Sequence, residues 1–331
     1  DRSRSPMTVP SRSERPVTEI PLGDVWQMTV TGPNALTLDT AQVKIGDGEW
    51  SAPMHILDAH AVAARAGVGS EFTLRFVVLA DVTPQPPTYL VVESPECFAI
   101  TVNGQQIGNA DVGWWVDTSF CKINLGSALR AGRNEIILRG AFARDTELES
   151  IYLIGNFGVS ARRIREENRF TGQVFDRYAP EFRLTTLPGQ VHAVSTRPLA
   201  LDLAQEGLAF FAGRVVLRQK IRLSERPKRA KLHVGGLRAA LAQVRVNGQP
   251  MGAMAWQPHQ VDVGAGLVPG DNVIEIELVG TLRNLLGPHH LRGGDLSWTG
   301  PNEFRDKSRW TDDYILAPFG FDHVTLRLFA E

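Results

Sequence analysis

The chain has 331 residues, 43% of them hydrophobic, and its 35 basic and 36 acidic residues leave a net charge of −1. That length is enough for two ordinary cores. The charge balance excludes the basic footprint of a nucleic-acid binder, and no apolar run approaches the ~18 residues of a membrane span.

Residues 1–20 are rich in Pro, Ser and Arg and read as a flexible entry linker; they contain no apolar signal-peptide core. Because the sequence starts at Asp1, it is expected to be a processed or excised piece of a longer protein. Residues 24–58, with Trp26, Leu36, Leu38 and Trp50, are expected to add strands to a first domain. A short helix is predicted over 59–66, closed by Gly67. Alternating, β-branched runs then predict strands over 72–79, 88–92 and 98–102. The last of these runs into Val102-Asn103-Gly104, a strong hairpin signal because a type I′ turn needs positive φ at both central residues. Cys97 and Cys121 flank this turn. A disulfide and two free thiols are both open readings, and the spacing suits no metal site. Next come Trp114-Trp115, then Gly132-Arg133-Asn134 leading into a strand over 135–138, then a strand over 150–159.

The second half repeats this order. Strand runs over 214–223, 231–234 and 242–246 lead to Val246-Asn247-Gly248, and Gly270-Asp271-Asn272 leads into a strand over 273–278. Asn103 and Asn247 are 144 positions apart, and Asn134 and Asn272 are 138 apart. A period that long means a duplicated domain rather than a solenoid. With helical periodicity scarce, the expectation is an all-β chain of two tandem sandwiches, over 21–165 and 166–331, with the boundary inside the charged stretch near 161–180. The second should close on a strand over 323–329, and a long loop over about 280–321 interrupts it.

The run of a strand, Val244-Arg245-Val246-Asn247-Gly248-Gln249-Pro250-Met251-Gly252, Val261-Asp262-Val263 and Gly270-Asp271-Asn272 resembles the galactose-binding-like jelly roll of family 2 glycoside hydrolases and related enzymes, including rhamnosidase-type proteins. The likeness is clearest over 210–280 and weaker over 72–140. It implies a sandwich that accompanies a catalytic barrel elsewhere in the parent protein, and it allows a structural calcium. Oxygen-bearing turns at Asp39, Asp47, Asp202 and Glu206 show no calcium-loop spacing. The segments over 150–159 and 280–290 also resemble C-terminal parts of long glycosidase-like proteins.

The absence of alternating strand and helix patterns excludes a (β/α)8 catalytic barrel within this chain. The 280–321 loop is the first candidate site, because long loops tend to carry function. Trp298, Trp310 and Tyr314 offer rings to the apolar faces of a sugar, while Asp312, Asp313, His289 and His290 offer polar contacts. The same rings would equally plug the sandwich end or an interface. Adjacent His289 and His290 on a strand would diverge. In a loop they could join Asp295, Asp312 or Asp313 on a metal, or simply bond to backbone. Trp114 and Trp115 are a second candidate, with one ring facing out; packing is the alternative. The expectation is a non-catalytic, carbohydrate-binding accessory region of an extracellular or periplasmic carbohydrate-active enzyme, whose partners are an oligo- or polysaccharide and the catalytic domain of the same protein. The alternatives are a purely structural scaffold and a small glycosidase or lyase.

Overall fold

In the computed structural model, described here for residues 16–167, 175–193, 200–294 and 299–330, the chain is almost entirely β. Period-2 alternation fixes the long strands. In Glu71–Ala80, residues Phe72, Leu74, Phe76, Val78 and Ala80 point inward, and in Gly270–Val279 the inward set is Asn272, Ile274, Ile276 and Leu278. The helix Ile56–Ala66 buries Ile56, Ala59 and Ala63 and ends at Gly67, whose φ of 96° a side chain would resist.

Two hydrophobic cores result, and two sets of strands surround them in the same order. Around the first core, Asn34–Leu38, Ile151–Asn156, Gln85–Val92 and Asp117–Asn124 form one sheet. Facing it, Thr40–Ile45, Glu71–Ala80, Gly132–Ala141, Ala99–Val102 and Gln105–Ile107 form the other. Around the second core the first sheet runs Thr18–Pro21, His323–Phe329, Arg229–Gly235, Gln260–Asp262. Its partner runs Val25–Thr31, Arg214–Leu223, Gly270–Val279, Leu241–Val246, Gln249–Met254.

This pairing differs from the expected division at the N-terminus. Thr18–Pro21 falls in the expected linker and Val25–Thr31 in the expected first sandwich, yet both belong to the sheets of the second core. Trp26, 1% exposed, and Met28 are buried there against Val191, Val215 and Leu217. Thr31 pairs with Arg214. The first sandwich therefore leaves the chain at the point where a hairpin between these two strands would otherwise close. Alternation gives the inward face of a strand but not the sheet it joins, so the sequence pattern could not reveal this nesting.

The repeated asparagines explain why the two halves read alike. Asn103 and Asn247 take φ of 51° and 52°, and Gly104 and Gly248 both take 80°. Asn103 Nδ2 donates to Asn134 Oδ1 at 2.8 Å and to Ala128 O, while Glu135 N–H donates to Asn103 Oδ1 at 3.0 Å. Asn247 Nδ2 donates to Asn272 Oδ1 at 2.9 Å and to Gly266 O, while Val273 N–H donates to Asn247 Oδ1 at 2.8 Å. Each half thus ties its Asn-Gly turn to its Gly-x-Asn turn with one and the same clasp.

Candidate functional site

Asp39 is the centre of the polar cluster. It follows Asn34–Leu38 in one sheet and precedes Thr40–Ile45 in the facing sheet, so it sits where the chain crosses the end of the first sandwich. The next strand, Met54–His55, pairs with this crossing, Thr40 opposite His55. Asp39 O accepts from Ile56 N–H at 2.7 Å, so the start of the helix is bound to the same corner.

The long loop comes to this corner from the other half. The short helix Arg283–Leu286 ends at Gly287, and Pro288 then delivers His289 and His290. Thr311 N–H donates to His290 O at 3.0 Å and Ile315 N–H to His289 O at 2.7 Å, which sets the register of the loop against itself. Leu285, Tyr314 and Leu316 pack into the first core rather than the second. The loop interrupts the second sandwich in sequence and seals the first in space.

The side chains converge. His289 Nδ1 lies 3.1 Å from Asp39 Oδ2 and its Nε2 lies 2.8 Å from Asn284 O. His290 Nδ1 lies 2.9 Å from Thr311 O, and its Nε2 lies 3.4 Å from Asp39 Oδ2 without hydrogen-bond geometry. Tyr314 Oη donates to Asp39 Oδ1. Burial would raise the Asp39 pKa, but the charge of His290 and the hydrogen bond from His289 outweigh it and hold the carboxyl well below the usual range. Burial pulls His290 down, and Asp39 more than reverses that, leaving it raised. His55 is pulled by burial to about 4, against the Asp39 charge. Burial, with Asp39 adding to it, pushes Tyr314 well above its ordinary value.

Of the loop candidates, the structure brings His289, His290, Trp310 and Tyr314 together. Trp310 stacks on His290 with centroids 4.6 Å apart and planes at 22°, and Lys307 Nζ lies 4.1 Å from its ring centroid. The residue is half-buried, with His290 against one face. Asp312 accepts from Trp310 Nε1 at 3.0 Å, and Asp313 pairs with Arg177. Neither acid is the histidines' partner in the way the sequence suggested; Asp39, 250 positions from His289, is. Trp298 and Asp295 lie outside the described residues. Trp115 is half-buried, edge-on to Tyr152 at 6.0 Å, while Trp114 is 57% exposed. Cys97 and Cys121 are both free thiols.

A cavity of about 210 Å³ opens beside the cluster. Asp39, His55 and His289 form one side of it; Glu93, Glu149 and the rings of Phe120, Tyr152 and Phe304 form much of the rest. Phe120 and Tyr152 sit 5.3 Å apart. Glu149 is raised by burial and by the nearby Glu93 and Glu147. Sequence reasoning missed Glu93, Glu149, His55 and Phe304; no spacing in the chain links them, because strands from both sheets and the far loop bring them together.

No protein-family model matches the chain, and no curated protein matches it. Among solved structures, a rhamnosidase from Novosphingobium sp. PP1Y is 19% identical with a TM-score of 0.28, over 91% of this chain and 25% of that one. Streptomyces avermitilis alpha-L-rhamnosidase complexed with L-rhamnose is 12% identical with a TM-score of 0.26, over 96% of this chain and 38% of its own. The lectin of Pleurotus ostreatus is 11% identical with a TM-score of 0.19, over 79% of each chain. The chain spans well under half the length of the two rhamnosidases.

Proposed function

We propose that the chain is a pair of galactose-binding-like jelly rolls, one nested in the other, serving as a saccharide-binding accessory region of a larger carbohydrate-active enzyme. The single observation that carries the reading is the composition of the 210 Å³ cavity: three aromatic rings beside three carboxylates and two imidazoles. Sugars present apolar CH faces that stack on rings, and hydroxyls that bond to carboxylates and imidazoles. The matching strand order and the repeated asparagine clasp support the duplicated jelly roll.

The test is a glycan array and polysaccharide pull-down with the wild type, Phe304→Ala and Glu149→Gln. Binding by the wild type that falls at least tenfold in both variants, with circular dichroism unchanged, is the expected result. A folded wild type that binds no glycan would overturn the reading.

A second reading, a scaffold that packs on a catalytic domain without sugar affinity, is favoured by Trp256, which is 79% exposed, and by the exposed Trp114. Aromatic residues are enriched in protein–protein interfaces relative to the rest of the surface.

A further inference from the structure

The hydrogen bonds of the two buried histidines fix which nitrogens carry protons. A backbone carbonyl only accepts, so His289 Nε2 donates to Asn284 O and His290 Nδ1 donates to Thr311 O. The remaining nitrogens, His289 Nδ1 and His290 Nε2, both face one oxygen, Asp39 Oδ2. The His289 contact, at 3.1 Å, has hydrogen-bond geometry. The His290 Nε2 contact does not: that nitrogen is buried and has no hydrogen-bond partner, in a residue only 6% exposed.

A third nitrogen is close by. One ligand atom each from Asp39, His55 and His290 lie within 4.8 Å of one another. Ligands held about 2.0–2.1 Å from a tetrahedral zinc lie ~3.3–3.4 Å apart, and Asp39 Oδ2 and His290 Nε2 are 3.4 Å apart. His55 makes a single long hydrogen bond among the described residues, accepting from Leu57 N–H at 3.4 Å, so its ring can adjust.

We propose that Asp39, His55 and His290 bind one divalent transition-metal cation of the zinc type, with a coordination position open to the adjoining cavity. Two imidazoles with a carboxylate are a ligand set that zinc-type ions take, the imidazoles favouring them over magnesium or calcium, and three protein ligands leave the fourth position to solvent or a ligand hydroxyl. The outer contacts of a metal site are already in place: Thr311 O fixes the His290 ring, and Tyr314 Oη and His289 orient the carboxylate. Asp39 and His55 both line the cavity, so the ion has a way in.

The experiment uses the whole chain without a polyhistidine tag, stripped with a chelator. It is titrated with Zn(II) by calorimetry and with Co(II) by visible absorption. One equivalent binding with Kd in the micromolar range or below is expected, with the intense visible bands of low-coordinate Co(II). His290→Gln and His55→Gln should each weaken binding at least tenfold, while His192→Gln, at an exposed histidine outside the cluster, should not. His55→Gln keeps the test valid if the more buried His290→Gln fails to fold. Absence of binding by the folded wild type, or equal binding by the two cluster variants, would overturn the proposal. Glycan binding measured in chelator tells its failure apart from that of the saccharide reading.

Discussion

Asn134 and Asn272 are wholly buried, and each satisfies a whole turn from one side chain. Asn272 Oδ1 accepts from Val268 N–H and Asn247 Nδ2, and its own Nδ2 donates to Val268 O and Gly270 O. Asn134 does the same with Arg130, Gly132 and Asn103. An orphaned buried polar group costs about 1–3 kcal/mol. Asn272→Ala orphans several that share one small space, so a loss of roughly 3 kcal/mol is expected by urea unfolding, and Asn134→Ala should lose a similar amount. A loss below about 1 kcal/mol in both would mean water replaces the amide freely. Asp202 is a different kind of buried group. It accepts from Ala204 N–H, Gln205 Nε2 and Phe319 N–H, yet burial outweighs these bonds and raises its pKa. For a carboxyl raised in the folded state, its contribution is fully present below the unfolded value near 3.8 and is lost as pH rises through the folded value. The stability of the wild type relative to Asp202→Asn should therefore fall as pH rises from 4 to 7 in urea titrations. A difference that is flat across that range would show that Asp202 stays charged at no cost.

At the level of elements, what the sequence revealed and what it hid divide along a physical line. The helix ending at Gly67, the strand over 323–329 and both Asn-Gly hairpins are local features, set by periodicity and by φ, and they stand where the pattern puts them. The membership of Val25–Thr31 and the approach of His289 and His290 to Asp39 are long-range pairings, which no window of residues encodes. The site was half legible for the same reason: the histidines, Trp310 and Tyr314 lie within one loop and caught the eye together, whereas Asp39, His55, Glu93 and Glu149 belong to other elements. The strand Val25–Thr31 gives a direct test of the nesting. Trp26→Ala should cost about 3–5 kcal/mol, as for other large core rings. More tellingly, hydrogen exchange should quicken in Arg214–Leu223 and His323–Phe329, which enclose the second core, before it quickens in Glu71–Ala80. Equal loosening in both cores, or loosening led by the first, would contradict the placement of Trp26.

For the whole molecule, the two sandwiches are joined by more than a linker. Asn34 Nδ2 donates to Phe157 O and Gly207 O, Thr37 Oγ1 donates to Leu285 O, and Ala209, Phe210, Leu285 and Tyr314 from the second half complete the first core. Each half borrows from the other: the first takes the long loop, and the second takes the two N-terminal strands. A cut at the boundary suggested by composition should therefore fail. The fragment 166–331 lacks Thr18–Pro21 and Val25–Thr31, so Arg214–Leu223 loses a neighbour along one edge and the core loses Trp26 and Met28. Tyr314 and Leu285 lose the apolar surface they cover. An unpaired edge beside exposed apolar side chains is a recipe for aggregation. The fragment alone should show no cooperative thermal transition and weak near-ultraviolet circular dichroism. A synthetic peptide of residues 16–32 should bind it and restore part of the transition, because among the described residues the missing strands pair only with that half. A fragment that folds cooperatively by itself would show that the N-terminal strands are appended to a finished sandwich, and the nesting would then be an arrangement of the chain rather than a condition of its stability.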